Sequence, residues 1–229
     1  MTSPTGADGT RPCEVVGVIA LQGSFSLHRR SLERLGVATR EVRNVDDLLG
    51  IAALVIPGGE STTMAKLAKR SGLFDRVRQL GRDGLPVLGT CAGAVLLGHG
   101  DGPPERLRIV EVDTYRNAYG TQIDSFTAEL DLTPFERPFH GVFIRAPKLA
   151  ARPGGSDVEV LAEHSGSPVL IRAGSCLLAT FHPELTDDTR VHRYFLDLCG
   201  IDPPGTETPG SRVPIEAPSD ERLTSSGST

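Results

Sequence analysis

The sequence predicts a three-layer α/β domain, with helices on both faces of a mixed but largely parallel central sheet. In the first half, short apolar runs such as 15–21 (Val-Val-Gly-Val-Ile-Ala-Leu) alternate with helical patterns, as in strands buried on both faces of a parallel sheet. After residue 100, strand-like runs follow one another closely, which indicates antiparallel additions. A chain of 229 residues can bury one substantial core.

The elements of the first half follow from periodicity and from stop signals. A helix over 27–35 has apolar residues at helical spacing and stops at Gly36. The strand at 52–56 ends at a Pro-Gly-Gly turn. The other predicted elements are strands at 15–21, 39–42 and 85–88 and helices at 60–69 and 73–80.

The second half is predicted to be mostly strands. Turn sequences at 165–167 and 173–175 indicate hairpins. A final helix from about 188 to 199 is started by Thr-Asp-Asp at 186–188 and stopped by Gly200. The predicted strands are 107–112, 126–130, 142–145, 158–163, 169–172 and 176–181.

Composition predicts one folded unit at 13–200, a disordered leader at 1–12, and a disordered tail at 201–229 that is rich in Pro, Gly and Ser. The formal charge of −5 is dispersed, without the basic stripe that nucleic-acid binding requires. No apolar run reaches the roughly 18 residues of a membrane span. We therefore expect neither nucleic acid nor a membrane as a partner.

The four cysteines, Cys13, Cys91, Cys176 and Cys199, are far apart and include no C-x-x-C motif. This spacing resembles neither a disulfide framework nor a zinc site. The residues before 13 also lack the apolar core of a secretory signal. These observations predict a reduced, cytoplasmic protein that uses no metal and no cofactor.

One of these cysteines lies in a turn typical of nucleophiles. Residues 89–93 read Gly-Thr-Cys-Ala-Gly and follow the apolar run 85–88, which is the sulfur version of the G-x-S-x-G strand-to-helix elbow. A side chain at either glycine would obstruct so tight a turn. An inert buried thiol is the alternative, but the elbow and its helix N-terminus favour Cys91 as a nucleophile.

A base and an acid follow at His182 and Glu184, joined by Pro183. Proline biases the preceding residue to extended backbone, which would place both side chains on one face. Five other histidines compete for the role of base, but none combines a preceding apolar strand with a carboxylate two residues later. They are His28, His99, His140, His164 and His192. A Cys-His-Glu triad is the resulting prediction.

The segment 57–63 (Pro-Gly-Gly-Glu-Ser-Thr-Thr) predicts an oxyanion site. The bare backbone of Gly58 and Gly59, with the N–H of Ala92 after the nucleophile, can stabilise negative charge. A phosphate loop is the alternative, but the Walker pattern is absent and Glu60 would repel an anion. Glu60 better suits an ammonium group.

Two arginines are candidates for binding a substrate carboxylate. Arg116 and Arg145 both lie in loop-like, apolar surroundings, where a guanidinium can bind a carboxylate through two hydrogen bonds. The alternative is that both are solvated surface charges. Because Gly59, Cys91 and His182 each follow a predicted strand, one pocket at the strand ends can contain all three.

These blocks together resemble the glutaminase subunit of pyridoxal 5′-phosphate synthase, a class I glutamine amidotransferase family with a flavodoxin-like fold. The similarity covers about residues 14–198. It runs through Leu-Gln-Gly at 21–23, Gly-Gly-Glu-Ser-Thr-Thr at 58–63 and the elbow, and through Arg-Asn-Ala-Tyr-Gly at 116–120, Ile-Arg-Ala-Pro at 144–147 and His-Pro-Glu at 182–184.

The resemblance implies hydrolysis of L-glutamine to glutamate and ammonia through a thioester on Cys91. His182 would move the protons, Glu184 would hold its ring, and Gly59 and Ala92 would bind the oxyanion. Glu60, Arg116 and Arg145 would hold the amino-acid end of glutamine, with Gly58 and Ile144 beside them.

The resemblance also implies a partner, a dodecameric synthase core that receives the ammonia in a complex of twelve and twelve subunits. The glutaminase of that family is poorly active until docked, and Gln22 would lie near the oxyanion site and the docking face. The loop after Gly23 (Ser-Phe-Ser-Leu-His) departs from the family pattern, which leaves the docking contacts open.

Two other functions remain open. The chain could feed ammonia to another synthase, such as that of histidine biosynthesis. It could also be a noncatalytic thiol-bearing sensor or binding protein, although a sensor does not need His182, Glu184 or paired arginines.

Overall fold

The computed structural model describes residues 14–116, 125–133, 135–155 and 157–202. A seven-stranded sheet forms its centre, in the spatial order β10-β11-β12-β4-β3-β1-β2. The strands are β1 (Val15–Ile19), β2 (Ala38–Val42), β3 (Ile51–Ile56), β4 (Val87–Thr90), β10 (Val158–His164), β11 (Ser167–Ala173) and β12 (Cys176–Ala179). The helices are α1 (Phe25–Arg34), α2 (Ser61–Ser71), α3 (Leu73–Arg82), α4 (Ala92–Leu97) and α5 (Arg190–Cys199).

The predicted three-layer α/β architecture is confirmed. The strands β2, β1, β3, β4 and β12 pair in parallel, and β11 and β10 add antiparallel at one edge. Alternate residues of β3 face opposite cores, since Leu54 and Ile56 pack with α2, α3 and α4. Ala53 and Val55 pack on the other face, with Leu32 of α1 and with α5.

Two smaller sheets lie beside β10 and β11 of the central sheet. The strands β5 (His99–Gly100), β6 (Val112–Tyr115) and β9 (Lys148–Ala151) form one, and β7 (Ser125–Leu130) and β8 (Phe139–Ile144) form the other. The predicted hairpin turns at 165–167 and 173–175 connect β10 to β11 and β11 to β12. β8 is important for the site because it ends at Ile144 beside the nucleophile.

The predicted strand at 107–112 is wrong. The backbone N–H groups of Leu107 and Ile109 donate to the carbonyls of Leu96 and Leu97, at 2.7 and 2.9 Å. These carbonyls lie at the end of α4, where a helix leaves its own acceptors free. Arg108 has φ 52°, outside the range of a strand. The strand instead begins at Val112, and the strands β5 and β9 were not predicted.

Several element boundaries also differ from prediction by a few residues, and the last helix is one of them. The last helix begins at Arg190 instead of 188, because the Asp188 side chain accepts from the backbone N–H of Arg190 at 3.0 Å and stays outside the helix. Ile201 was assigned to the disordered tail but is buried, at 3% exposure, against the core that contains α5. Folded structure therefore reaches residue 201. The predicted leader at 1–12 and the tail beyond 202 lie outside the described residues.

Candidate functional site

The nucleophile elbow has the predicted form. Cys91 follows β4 directly and has φ 47° and ψ −103°, a strained conformation for a residue with a side chain. A Cβ at Gly93 would collide with the carbonyl oxygen of Ile56, and one at Gly89 would lie 2.8 Å from the backbone of Gly93. The turn thus holds Cys91 at its apex, where α4 begins, and its Sγ lies 3.6 Å from the carbonyl oxygen of Ile144.

The predicted base and acid are in contact. The Nδ1 atom of His182 lies 2.8 Å from Oε1 of Glu184, and both residues are buried. The backbone that joins them is not the extended segment that was predicted. Residues Pro183–Leu185 form a single 3-10 turn, in which Pro183 takes the first position. This turn folds Glu184 back under the imidazole.

The surroundings of these two groups favour their charged forms. Burial opposes charge on His182, but hydrogen bonds with Cys91 and Glu184 outweigh it and raise the pKa of the ring to about 10. Burial alone would raise the pKa of Glu184, whereas His28, His182 and Ser24 lower it to about 2. At neutral pH the base is therefore protonated and its carboxylate partner is ionised.

Further side chains around Glu184 were not identified from the sequence. The Ser24 hydroxyl donates to Glu184 Oε1 at 2.5 Å, and Nε2 of His28 lies 3.3 Å from Oε2. His192 lies behind His28, with 2.9 Å between Nε2 of His192 and Nδ1 of His28. The available signals were the i, i+4 spacing of Ser24 and His28 and the position of His192 on the apolar stripe of α5.

A single cavity of about 180 Å³ contains most of the predicted site. Predicted site residues on its walls are Gly59, Glu60, Cys91, Ala92, Arg116, Ile144, Arg145 and His182. The remaining wall residues are Ser61, Val95 and Pro147. The expectation that the strand ends share one pocket is thus confirmed for these residues.

The remaining predicted residues lie just behind the cavity wall. Glu184 lies behind His182, and a Cβ at Gly58 would collide with the imidazole ring of His182. Gln22 lies behind Gly59, where its side-chain carbonyl accepts from the N–H of Glu60 at 2.7 Å. A Cβ at Gly59 would strike that same oxygen. Both glycines are therefore needed for close packing against functional side chains.

The other end of the cavity carries the charged residues. Glu60 caps α2, and its two carboxylate oxygens accept from the N–H groups of Thr62 and Thr63 at 3.1 and 2.7 Å. The Thr63 hydroxyl and these N–H groups lower the pKa of Glu60 to about 2 despite partial burial. Arg116 approaches Glu60 to 3.9 Å, and Arg145 has φ 43° at the end of β8. Residues 117–120, which share a sequence block with Arg116, lie outside the described residues.

Within the part of the chain that the structure describes, no group of three or more His, Cys, Asp or Glu side chains is arranged to hold a metal. A search of the same residues for helices found none with the length and apolarity to cross a bilayer.

Solved structures with the same architecture include glutamine amidotransferases. A crystal structure of a glutamine amidotransferase superposes with a TM-score of 0.75 at 48% identity, and the match covers 81% of this chain and 98% of that one. A GMP synthase component from Thermoplasma acidophilum has a TM-score of 0.60 at 16% identity, which shows the fold alone, over 83% of this chain and 96% of that chain. The fold is therefore that of the class I glutamine amidotransferases.

Sequence comparison narrows the class to a family. The profile of the SNO glutamine amidotransferase family matches residues 18–200, and the chain belongs to that family. It is 50% identical over 193 residues to the pyridoxal 5′-phosphate synthase subunit PdxT of Thermus thermophilus, covering 82% of this chain and 98% of that relative. The PdxT subunit of Pelotomaculum thermopropionicum is also 50% identical, over 188 residues, 80% of this chain and 94% of the relative.

Proposed function

We propose that this chain is the glutaminase subunit of a pyridoxal 5′-phosphate synthase, which hydrolyses L-glutamine to glutamate and ammonia. The observation that carries the proposal is a buried imidazole–carboxylate pair at His182 and Glu184 that faces a strained cysteine across one cavity. Membership of the SNO family and the similarity to PdxT subunits support the choice of substrate and pathway.

The reaction begins when the thiol proton of Cys91 passes to His182 and the sulfur attacks the side-chain amide carbon of glutamine. The carbonyl oxygen becomes an oxyanion, and the backbone N–H groups of Gly59 and Ala92 are the proposed donors to it. Ala92 opens α4, and the first N–H groups of a helix lack partners within the helix. Their partial positive charge lies where the negative charge develops.

His182 supplies the proton for the leaving group. Because the pKa of its ring is raised to about 10, the imidazolium is the prevalent form at neutral pH and can protonate the departing nitrogen. Glu184 holds the ring through Nδ1 and stabilises its charge. The C–N bond breaks, ammonia leaves, and the acyl group remains on Cys91 as a thioester. His182 then takes a proton from water, which attacks the thioester and releases glutamate.

The charged end of the cavity would select a free amino acid. Arg116 and Arg145 are proposed to bind the α-carboxylate, and Glu60 the α-ammonium, since Glu60 is ionised at any pH above its lowered pKa of about 2. Gly58 and Ile144 would shape the walls beside them. A peptide or an ester does not present both charges on one α-carbon.

The ammonia is proposed to pass to a synthase subunit with a dodecameric core, in a complex of twelve and twelve subunits. Gln22, which holds the backbone at Glu60, is the residue through which docking would reach the oxyanion site. We place the reaction in the cytoplasm because a nucleophilic thiol has to remain reduced.

The test is ammonia release from L-glutamine by the purified chain, with and without the synthase partner, for wild type and Cys91→Ala. Cys199→Ala is the matched control, because Cys199 lies at the far end of α5 and outside the cavity. Strong stimulation by the synthase that Cys91→Ala abolishes and Cys199→Ala retains supports the proposal. Hydrolysis that the synthase does not stimulate would indicate another ammonia acceptor. Absence of hydrolysis by folded protein under both conditions would refute the proposed glutaminase activity.

A further inference from the structure

Two fully buried histidines, His28 of α1 and His192 of α5, stand behind the triad, and the proposed reaction does not use them. The Nε2 atom of His28 lies 3.0 Å from the Thr90 hydroxyl and 3.3 Å from Glu184 Oε2. Among the described residues Glu184 Oε2 has no conventional hydrogen-bond partner. A buried carboxylate oxygen without a donor is costly, so the nearby His28 nitrogen needs an explanation.

The contacts of His28 determine where its proton lies. An ionised carboxylate oxygen can only accept, so an unprotonated Nε2 at 3.3 Å from Glu184 Oε2 would set two lone pairs against each other. Nε2 of His28 therefore carries the proton. In the neutral ring Nδ1 is then an acceptor, and Nε2–H of His192 is the donor to it over 2.9 Å. The pair of histidines thus fixes one tautomer of each ring.

The same nitrogen connects the acid to the strand of the nucleophile. Thr90, the residue before Cys91, accepts the Gly58 backbone N–H at 3.0 Å on its hydroxyl oxygen. His28 Nε2–H bonds to this hydroxyl and also lies within 3.3 Å of Glu184 Oε2. One imidazole thereby holds the triad carboxylate at a set position relative to both the elbow and the glycine loop.

Burial keeps both histidines neutral. It lowers the pKa of His28 against the attraction of Glu184, and it lowers the pKa of His192 to about 3. The titratable groups that face Glu184 are His28 from α1, His182 from its own turn, His192 behind His28, and Cys91 through His182. A neutral N–H group therefore lies beside one oxygen of Glu184, and the charged His182 is hydrogen-bonded to the other.

We propose that His28 is a positioning residue of the triad, a role that rests on the proposed glutaminase function. As the Nε2–H tautomer selected by His192, it clamps Glu184 Oε2 to Thr90 and keeps the other oxygen aimed at His182. The role is reminiscent of the outer partners of metal-bound histidines, whose loss lowers activity about 10–100-fold.

The test compares His28→Leu, which removes the donor, with His28→Gln, which places an amide N–H near the position of Nε2. His140→Leu, on the exposed face of β8, is the control. We expect kcat for glutamine to fall about 10–100-fold in His28→Leu with KM within about twofold. The acid limb of the pH–rate profile of His28→Leu should move to higher pH, because the ionised form of Glu184 loses a donor and the pKa of Glu184 rises. The glutamine variant should recover most of the rate.

Two readouts do not depend on glutamine. Alkylation of Cys91 by iodoacetamide across pH reports the thiol–imidazole pair, and its profile should shift in His28→Leu alone. Long-range 1H–15N spectra of the wild type should show His28 protonated at Nε2. Absence of glutamine hydrolysis by the wild type in the presence of the synthase partner would refute the proposed function, whereas these two readouts would still test His28.

The proposal is overturned by an Nδ1-protonated His28, by a leucine variant with wild-type kcat and alkylation profile, or by equal losses in the leucine and glutamine variants. If His28→Leu does not fold, His28→Asn replaces it, because its amide is one bond too short to reach Glu184. A glutamine variant about tenfold faster than the asparagine variant then supports the role, and equal rates refute it.

Discussion

The two ends of the cavity differ in how their charges are held. At the reacting end, the Glu184 side chain is fully buried beside three N–H or O–H groups, those of Ser24 and His28 at α1 and of His182 before its own turn. At the opposite end, the Glu60 and Arg116 side chains are 44% and 41% exposed and 3.9 Å apart. Glu60 is the better ordered of these two, because it also caps α2.

This contrast indicates that the buried end of the cavity acts on the chemical step and the exposed end on substrate binding. Charges in a buried network interact strongly and need no rearrangement during the reaction. Exposed charges are screened by water and gain strength only when a ligand covers them. We therefore expect substitutions at the reacting end to act on kcat and substitutions at the open end to act on KM.

The largest effect is expected from Glu184→Gln. In this variant an amide oxygen that accepts from His182 and Ser24 leaves the amide NH₂ group facing the His28 N–H, so that two donors oppose each other. The amide also carries no charge to stabilise an imidazolium. We predict a loss in kcat of about 10³–10⁴-fold with little change in KM, measured by steady-state ammonia release. Glu163→Gln, on exposed β10, is the control. A loss below about tenfold would contradict the assigned role of Glu184.

The second-largest effect is expected from a substitution at the exposed end of the cavity. Arg145→Ala removes a proposed partner of the substrate carboxylate, and we predict that KM rises about 10–100-fold while kcat changes less than about fivefold. Isothermal titration of glutamine into a Cys91→Ala background measures the same loss as affinity. Arg193→Ala is the control, since Arg193 pairs with Asp197 outside the cavity. A fall in kcat at unchanged KM would contradict the assignment of substrate binding to this end of the cavity.

A smaller effect at the reacting end is expected from Ser24→Ala. The variant removes one of the donors to Glu184 Oε1 but leaves His182 in place. We predict a loss in kcat on the order of tenfold, which corresponds to one hydrogen bond to a charged group. Ser26→Ala, exposed on the same helix, should leave the rate unchanged. Equal rates for the two variants would show that Ser24 does not support the acid.

The smallest effect should be on stability. The pKa of Glu60 is lowered in the folded state from its usual 4.5 to about 2, so its contribution is present above about pH 4.5 and is lost as the pH falls toward 2. Glu60→Gln should lower the free energy of unfolding at pH 7 by about 1 kcal/mol or less, as for an exposed helix cap. Urea titrations at pH 7 and pH 3 should show that the free energy of unfolding differs less between these two pH values in the variant than in the wild type. An unchanged difference would contradict the capping role.

Local sequence patterns were sufficient for the elements of the parallel half. The wholly apolar run that became β1 and the Pro-Gly-Gly stop after β3 predicted both strands, because a strand buried on both faces leaves a strong signal. The segment at 107–112, in which apolar residues alternate with Arg108 and Glu111, also predicted a strand, but no strand forms there before Val112. Its N–H groups are used by the end of α4, which no local pattern reveals.

The site also has one part that local sequence patterns predict and another that depends on tertiary packing. The elbow at Cys91 and the pairing of His182 with Glu184 could be predicted, because short motifs with fixed spacing impose their own geometry. The support of Glu184 could not. His28 and His192 are 164 positions apart in the chain, and only the packing of α1 beside α5 brings their rings together.

The sequence by itself determined the three-layer fold, the tight turn that presents Cys91 and the pairing of His182 with Glu184, since each is encoded by contiguous residues whose backbone preferences act locally. The tertiary structure alone decided that Glu60 caps a helix beside the cavity. It also decided that Ser24 and His28 lie against Glu184 and that His192 of α5 lies behind His28. Such contacts depend on the burial of whole elements against one another, and that information is spread over the entire chain.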